Sequence, residues 1–321
     1  MLPQLFIDGQ EGTTGLKLHD LLAGRTDLHL LQINPDHRKD PTQRAKLMNE
    51  ADVVFLCLPD TAAKEALTLI TNPNTKVIDA STAHRTHPEW AYGLPELSEG
   101  HRAKIKNSKR IANPGCHATA FLLALYPLLS AGILSHSAPI TCFSLTGYSG
   151  GGKKMIAQYQ SPSAPGGGEK LKAPRPYALT QSHKHLPEMQ LHAQLKAPPL
   201  FTPVVAGIYQ GLALHIFLPA ANFKKKISPA ELASHLHGYY AAEPFVKVLP
   251  YDPDCKSDDG FFDITACNHT NRCDLAIMGN QTQITLTARL DNLGKGASGA
   301  ALQNLNLLLN LPETTALTSD F

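Results

Sequence analysis

The residue of this chain best suited to covalent chemistry is Cys116. It follows Pro114 and Gly115, which end a short apolar run, and the residues after it repeat at helical spacing. The cysteine is therefore predicted to stand at or just before a helix N-terminus, where unpaired N–H groups and the helix dipole lower the pKa of a thiol. The alternative is a small buried cysteine, but the strand-turn-helix setting favours a nucleophile.

A second cluster of polar residues could move protons. His183, His185 and Glu188 crowd the entry to a predicted helix. A histidine titrates near neutral pH, and a nearby carboxylate can orient its ring. The cluster therefore predicts a general acid–base pair, and the spacing alone leaves open which histidine carries the proton.

Zinc binding is the alternative for the histidines and for one group of cysteines. His-x-His is a common ligand pair, but no third ligand follows at a familiar spacing. Cys267, His269 and Cys273 lie close together in sequence, yet they lack the usual C-x-x-C pairs. We therefore predict no metal site.

A glycine-rich loop near the N-terminus predicts a dinucleotide site. A strand over residues 2–7 leads into this loop, and an amphipathic helix follows it. Glycines there let the backbone approach a pyrophosphate at the helix N-terminus. The spacing is G-x-x-G-x-x-G in place of the commoner G-x-G-x-x-G. The candidate cofactor-binding residues in the loop are Gly9, Gly12, Thr13, Thr14 and Gly15.

Alternating strands and helices continue from this loop. Further strands are predicted at residues 28–33, 52–58, 76–80 and 110–112, with helices over 45–50 and 61–70 between them. This alternation predicts an α/β fold with a doubly wound (Rossmann) parallel sheet, which binds ligands at the carboxyl ends of its strands. The loops at that edge add Pro59 and Ser81 as cofactor-binding candidates and Asn113 beside Cys116.

The loop after the second strand favours NADP over NAD. An acidic residue at the strand end would bind the ribose 2′-hydroxyl of NAD. Here the strand ends at the neutral Asn34, and Arg38 and Lys39 follow it, so a 2′-phosphate could be neutralised. Asp36 in the same loop is acidic and would instead favour NAD.

The rest of the chain predicts a second, α+β domain. A strand over 139–146 and another over 283–290 each lead into a loop rich in glycine, and a C-terminal helix is predicted at 300–311. A segment rich in Pro and Gly at 161–176, centred on Gly166–Gly168, predicts a mobile loop. The cofactor-binding candidates in the two glycine-rich loops are Gly147, Ser149, Gly150, Asn292 and Gly296.

Composition excludes several classes of partner. The 321 residues suffice for two domains, and a net charge of +2 gives no reason to expect nucleic acid or a membrane surface. The uncharged segment 111–152 is broken by Pro127, Gly132 and Pro139, so no membrane span is predicted. The six cysteines are scattered and no secretory signal is visible, which predicts reduced thiols in the cytoplasm.

A hydride-carrying dinucleotide, an activated cysteine and a histidine together suit an aldehyde dehydrogenase that works through a thioester in either direction. Several motifs support this and resemble the N-acetyl-gamma-glutamyl-phosphate reductase family, in its short (type 2) form, which is related to aspartate-semialdehyde dehydrogenase. These motifs span nearly the whole chain in order: residues 55–59 (FLCLP), 78–85 (IDASTAHR), 92–96 (YGLPE), 113–119 (NPGCHAT), 183–188 (HKHLPE) and 291–299 (DNLGKGASG).

The resemblance implies an activity and its parts. The expected reaction is NADPH-dependent reduction of N-acetyl-L-glutamyl 5-phosphate to N-acetyl-L-glutamate 5-semialdehyde, in arginine biosynthesis, by a cytoplasmic homodimer or homotetramer. Cys116 carries over as nucleophile. His183 is favoured as base, with His185 and Glu188 supporting it. Arg85, Asn113 and His185 are the substrate-binding candidates.

The resemblance also implies a division of the chain. Residues 1–115, joined by about 295–321, would bind NADP, and residues 116–294 would carry catalysis and oligomerisation, with the C-terminal helix returning to the first domain. Two alternatives remain open: an aspartate-semialdehyde dehydrogenase, and a non-catalytic NADP-sensing protein that needs neither Cys116 nor His183.

Overall fold

The computed structural model describes residues 2–10, 12–161, 168 and 171–319, except for the side chains of Ser257 and Asp258. The chain divides into two compact units. The first comprises Met1–Gly115 and Ala297–Leu317, and the second comprises Cys116–Gly296 and Thr318–Phe321. The first boundary thus falls directly before Cys116. Residues 162–167 and 169–170 of the predicted loop at 161–176 lie outside the described residues.

The first unit alternates strands and helices, as the sequence predicted. Its strands are β1 (Gln4–Asp8), β2 (His29–Leu31), β3 (Val53–Leu56), β4 (Lys76–Asp79), β5 (Ala91–Tyr92) and β6 (Arg110–Ala112). Its helices are α1 (Thr13–Ala23), α2 (Pro41–Glu50), α3 (Asp60–Thr68), α4 (Glu99–Asn107) and, from the end of the chain, α9 (Gly299–Leu308).

The six strands form one parallel sheet in the order β2-β1-β3-β4-β6-β5. This confirms the doubly wound fold class. One detail of the prediction was wrong, because β6 was expected to be the fifth and last strand of the sheet. The two-residue strand β5 pairs outside it, and a strand so short carries no periodic signal in the sequence.

Both faces of this sheet are covered, which explains the nearly continuous apolar strands. Alternate residues of β1 point to opposite faces. Ile7 lies in one core cluster with Leu305 of α9. Phe6 lies in the other with Leu56 and Ala63. The C-terminal helix is therefore part of the first unit's core, as the fold-class prediction required.

The second unit is built on a mixed seven-stranded sheet in the order β11-β12-β13-β10-β7-β9-β8. Its strands are β7 (Thr141–Gly147), β8 (Arg175–Pro176), β9 (Leu200–Ala206), β10 (Leu212–Pro219), β11 (Val246–Val248), β12 (Cys273–Gly279) and β13 (Gln283–Leu290). Its helices are α5 (Cys116–Ser130), α6 (Gly152–Gln160), α7 (Leu186–His192) and α8 (Pro229–Tyr239).

Helix α5 is the centre of the second unit. It packs on β10 and β13 and contacts α7, and nearly every one of its residues is buried. This burial explains why the uncharged segment at 111–152 is so apolar. Within the described part of the chain, no helix combines the length and apolarity that crossing a bilayer demands.

Candidate active site

Cys116 is the first residue of α5 and is half-buried, so the predicted helix-start position is confirmed. Gly296 lies directly against it: a Cβ atom added to Gly296 would stand 2.6 Å from the Cβ of Cys116. Any larger residue at position 296 would displace the cysteine. Gly296 was predicted to bind cofactor, and its contact shows that it also shapes the space beside the thiol.

The predicted acid–base residues gather at the start of α7. His183, His185 and Glu188 are all at least nine-tenths buried. The rings of the two histidines meet edge to face with centroids 4.7 Å apart, and His185 Nε2 lies 3.9 Å from Glu188 Oε1. The carboxylate is therefore a charged neighbour of the His185 ring, although the separation exceeds hydrogen-bond length.

A hydrogen bond distinguishes the two histidines. The backbone N–H of His185 donates to Nδ1 of His183 at 3.1 Å. Nδ1 of His183 must therefore be unprotonated, and its neutral ring carries the proton on Nε2. A neutral His183 can donate a hydrogen bond from Nε2, but that nitrogen has no lone pair with which to accept a proton.

Two further members of this cluster, His117 and Tyr177, were not predicted from the sequence. His117 Nε2 lies 3.0 Å from the Tyr177 hydroxyl, and its ring contacts the rings of both His183 and His185. Burial, with additional repulsion from His183 and Lys184, holds the pKa of His117 well below its usual value. The motif at residues 113–119 contained His117, but nothing in the sequence indicated its partner 60 residues away.

In the first unit, the glycine loop is packed tightly at the start of α1. A Cβ atom on Gly15 would stand 2.5 Å from the carbonyl oxygen of Gly9, so the loop closes tightly only around glycine. The N-cap of α1, Gly12, supplies no side-chain hydrogen bond to the helix N–H groups. Thr13 Oγ1 is buried and has no hydrogen-bond partner among the described residues. These donors fit the phosphates of a bound cofactor.

The other cofactor candidates of the first unit lie in different surroundings. The Ser81 hydroxyl donates to Asp79 at 2.7 Å, so this side chain holds the loop after β4. Pro59 is the N-cap residue of α3. Arg38 is exposed, next to a short 3₁₀ turn at Pro35–His37. Thr14 is half-buried in the first turn of α1.

Arg85 and Asn113 brace the chain before Cys116. Arg85 donates from Nε to the carbonyl oxygen of Asn113 at 2.8 Å and from Nη2 to Ala80 at 3.1 Å. The Asn113 amide donates to the carbonyl of Ala297 and accepts from Asn304. For Asn113, these bonds favour a role in holding the loop over one in binding substrate.

In the second unit, the remaining cofactor candidates are brought together around one asparagine. Asn292 Nδ2 donates to the Ser149 hydroxyl at 2.9 Å, and its Oδ1 accepts from the backbone of Gly211 at 2.8 Å. A Cβ atom on Gly150 would contact the same amide. Gly147 ends β7 just before this group. The loops after β7 and β13 are thus tied together.

No cluster of three or more His, Cys, Asp or Glu side chains in the described ranges could hold a metal ion. Cys267 and Cys273 are buried, and none of the six cysteines lies in a disulfide within the part of the chain that the structure covers.

Comparison with known proteins decides the family. The chain is 46% identical over 319 residues to N-acetyl-gamma-glutamyl-phosphate reductase 2 of Nostoc sp., covering 98% of this chain and 99% of the relative. The chain belongs to the N-acetyl-gamma-glutamyl-phosphate reductase family. A relative of the same name from Pseudomonas putida is 44% identical over 96% of this chain and 97% of its own length. The resemblance found in the sequence motifs is thereby confirmed.

Broader comparisons agree on the fold of this reductase family member. Residues 7–108 match the family "Semialdehyde dehydrogenase, NAD binding domain", and residues 116–292 match "Semialdehyde dehydrogenase, dimerisation domain". The crystal structure of aspartate semialdehyde dehydrogenase II from Vibrio cholerae, complexed with ASA, has a TM-score of 0.70 at 16% identity and covers 97% of this chain and 99% of that one. The enzyme from Francisella tularensis has a TM-score of 0.73 at 14% identity, covering 96% and 100%. At these identities the likeness concerns the fold alone.

The cysteines of this reductase family member differ in pKa and in exposure, which predicts selective alkylation. Burial raises the pKa of Cys57 and of Cys142 to about 12, and that of Cys267 to about 11. Cys255 is exposed. In a Cys255→Ser background, we expect iodoacetamide to label Cys116 first, with a rate midpoint below the value of about 8.5 for an ordinary thiol.

Peptide mass spectrometry across a pH series measures this labelling. A Cys116 rate that follows the titration of a free thiol would contradict activation by the helix start. Labelling of Cys57 or Cys142 at neutral pH would contradict the raised pKa of these two thiols.

Thr13 offers a test of the cofactor loop that does not depend on catalysis. Thr13→Val removes a buried hydroxyl that has no partner in the described structure, so the unliganded protein should unfold at the same temperature or a higher one. If that hydroxyl binds a cofactor phosphate, the Kd for NADPH should rise about 10-fold, the loss of roughly one charge-assisted hydrogen bond.

Isothermal titration calorimetry measures the affinity, and differential scanning calorimetry measures the stability. Thr42→Val in α2 is a control for the substitution itself, since that residue lies outside the glycine loop. If Thr13→Val binds NADPH with unchanged affinity, the Thr13 hydroxyl does not bind the cofactor.

Proposed function

We propose that this chain reduces N-acetyl-L-glutamyl 5-phosphate to N-acetyl-L-glutamate 5-semialdehyde and phosphate, with NADPH as hydride donor. The observation that carries the proposal is the position of Cys116 at the start of α5, in a chain 46% identical over nearly its full length to a reductase with this name. The substrate is inferred from the name of that relative, and the covalent mechanism is inferred from the position of the cysteine.

In the first half-reaction, the Cys116 thiolate attacks the acyl carbon of the substrate. A C–S bond forms, and the C–O bond to the phosphoryl group breaks with its electron pair leaving on inorganic phosphate. The backbone N–H groups of the first turn of α5 face the helix N-terminus, and they stabilise the oxyanion that develops during attack. The thiol proton passes to a histidine of the cluster at the start of α7.

When bound, NADPH supplies the hydride that reduces the thioester carbonyl. The chain's own task in this half-reaction is to protonate the resulting alkoxide oxygen and then to let the enzyme-bound thiohemiacetal collapse to the aldehyde. The proton held by the histidine moves to that oxygen. Collapse breaks the C–S bond, frees the aldehyde and returns the proton to the imidazole as Cys116 leaves as a thiolate.

The contacts favour His185 over His183 as the proton-transfer residue. A base needs an available lone pair, and the only unprotonated nitrogen of neutral His183 accepts the backbone N–H of His185. His185 instead has the Glu188 carboxylate 3.9 Å from its Nε2, a nearby negative charge that favours the ring proton on Nε2 and leaves the lone pair on Nδ1. His183 then serves as a hydrogen-bond donor from Nε2.

The two units divide the work in this proposal. The first unit, with its glycine loop and Arg38, binds NADP, and Arg38 or Lys39 neutralises the 2′-phosphate. The second unit holds the nucleophile and the acid–base pair, and it mediates assembly into a homodimer or homotetramer, consistent with its match to a dimerisation domain. Arg85, whose Nε and Nη2 donate to backbone carbonyls, is the residue proposed to bind the substrate phosphate or carboxylate. The reaction takes place in the cytoplasm.

One assay in the reverse direction tests the proposal. Purified protein is mixed with N-acetylglutamate semialdehyde, phosphate and NADP, and NADPH formation is followed by absorbance. We expect turnover that requires phosphate, is faster with NADP than with NAD, and is much slower with aspartate semialdehyde. Equal rates with aspartate semialdehyde would favour an aspartate-semialdehyde dehydrogenase. Tight NADP binding without any turnover would favour a sensor.

A further inference from the structure

His117 is a buried histidine directly after the nucleophile, and it joins two hydroxyl groups. Its Nδ1 lies 3.1 Å from Ser144 Oγ on β7, and its Nε2 lies 3.0 Å from the hydroxyl of Tyr177 after β8. Only 2% of His117 is exposed, and its depressed pKa keeps the ring neutral. A neutral imidazole carries one proton, so one of its two nitrogens donates and the other accepts.

Ser144 decides which nitrogen carries the proton. The Ser144 side chain is fully buried, and His117 Nδ1 is its sole hydrogen-bond partner within the described residues. A buried hydroxyl donates its proton wherever an acceptor is available, because an unmade hydrogen bond is costly there. Ser144 therefore donates to Nδ1. The proton of His117 stands on Nε2, and Nε2 donates to the oxygen of Tyr177.

This assignment fixes the direction of the Tyr177 hydroxyl. Because its oxygen accepts from His117, its own proton points to a different acceptor. The Tyr177 backbone is anchored by a hydrogen bond to Pro203 at 3.0 Å, and its ring lies 5.6 Å from that of His183. Burial, together with the nearby Cys116 thiolate, raises the pKa of Tyr177, so the phenol remains a proton donor throughout the working range.

We propose that His117 is a positioning residue of the reaction: held as the Nε2–H tautomer by Ser144, it directs the hydroxyl proton of Tyr177 toward the anionic oxygen of the group bound to Cys116. This inference rests on the proposed function, because it needs an acyl group on the cysteine. Tyr177 is then a donor that acts on the developing negative charge, and His117 with Ser144 orients it before substrate arrives.

A double-mutant cycle tests this coupling. Tyr177→Phe should lower kcat about 100-fold with little change in KM, since an oxyanion donor acts mainly in the transition state. His117→Leu should lower kcat about 10-fold or more, and the double variant should be no slower than Tyr177→Phe alone. His117→Gln should recover most of the activity, because its amide can accept from Ser144 and donate to Tyr177.

Ser144→Ala provides a second route if His117→Leu does not fold. It frees the ring to adopt the other tautomer, so kcat should fall in the wild-type background and stay unchanged in Tyr177→Phe. His215→Leu is the matched control, since His215 is another neutral histidine of the same unit that shares a hydrogen bond with a hydroxyl, that of Thr287. Its kcat should equal that of the wild type.

Two results would overturn the inference. One is a double variant whose loss of kcat equals the product of the two single losses, which would indicate that His117 and Tyr177 act independently. The other is a His117→Gln enzyme as slow as His117→Leu, which would indicate a packing role. Both differ from failure of the proposed function, in which the wild-type protein itself does not turn over N-acetylglutamate semialdehyde.

Discussion

Replacing Cys116 by serine should lower kcat/KM for N-acetylglutamate semialdehyde by at least about 1,000-fold, because loss of the nucleophile removes the covalent route and leaves only binding effects. The side chain keeps nearly the same size, so the contact with Gly296 and the start of α5 should remain intact. The measurement is the steady-state rate of NADPH formation, together with a mass-spectrometric search for a covalent acyl adduct in the wild type.

Two controls separate chemistry from structure in that experiment. Cys255→Ser replaces an exposed cysteine with the same residue and should keep the wild-type rate. NADPH affinity of Cys116→Ser should also stay unchanged, since the proposed cofactor loop belongs to the first unit. A Cys116→Ser enzyme with more than a tenth of the wild-type rate would exclude the thioester mechanism.

His185→Gln should lower kcat about 100-fold to 10,000-fold, the range expected for loss of a general acid–base group. Glu188→Gln should have a smaller effect in the same direction, because the neutral amide orients the His185 ring but no longer stabilises its charged form. The pH dependence of kcat is the decisive readout. The histidine-dependent limb of the wild-type profile should disappear in His185→Gln.

The matched comparison is His183→Asn. Asparagine places an acceptor oxygen near the position of Nδ1, so the backbone N–H of His185 keeps its hydrogen bond. We expect a loss of kcat that is smaller than that of His185→Gln, with the titrating limb retained. If instead His183→Asn abolishes the limb and His185→Gln preserves it, the proton-transfer role belongs to His183, the residue that the sequence favoured.

The sequence predicted the parts of this protein whose signals are local. The glycine loop between β1 and α1 and the cysteine at the start of α5 were both found, because a strand, a turn and a helix follow one another within about 15 residues. Strand β13 was also predicted with its observed bounds, since alternation over eight residues is a strong signal. The same locality made the family motifs recognisable.

Elements that depend on distant partners were missed. Strand β12 was not predicted from the sequence, because the buried Asp274 interrupts its apolar pattern. Asp274 is accommodated because Arg272 and Arg289 form ion pairs with it at 2.9 and 2.8 Å. Arg272 is close in sequence, but Arg289 becomes a neighbour of Asp274 only when β12 pairs with β13. The two-residue strands β5 and β8 likewise exist through pairing alone.

The candidate site divides in the same way. The residue types at Cys116, His183, His185 and Glu188 by themselves predicted a nucleophile and a proton carrier. Which histidine has a lone pair to offer was decided by one backbone hydrogen bond, and the partnership of His117 with Ser144 and Tyr177 was decided by the packing of α5 against the sheet. The chemical capacity of a side chain is a property of its type, whereas its protonation state and direction depend on neighbours that the chain brings together only on folding.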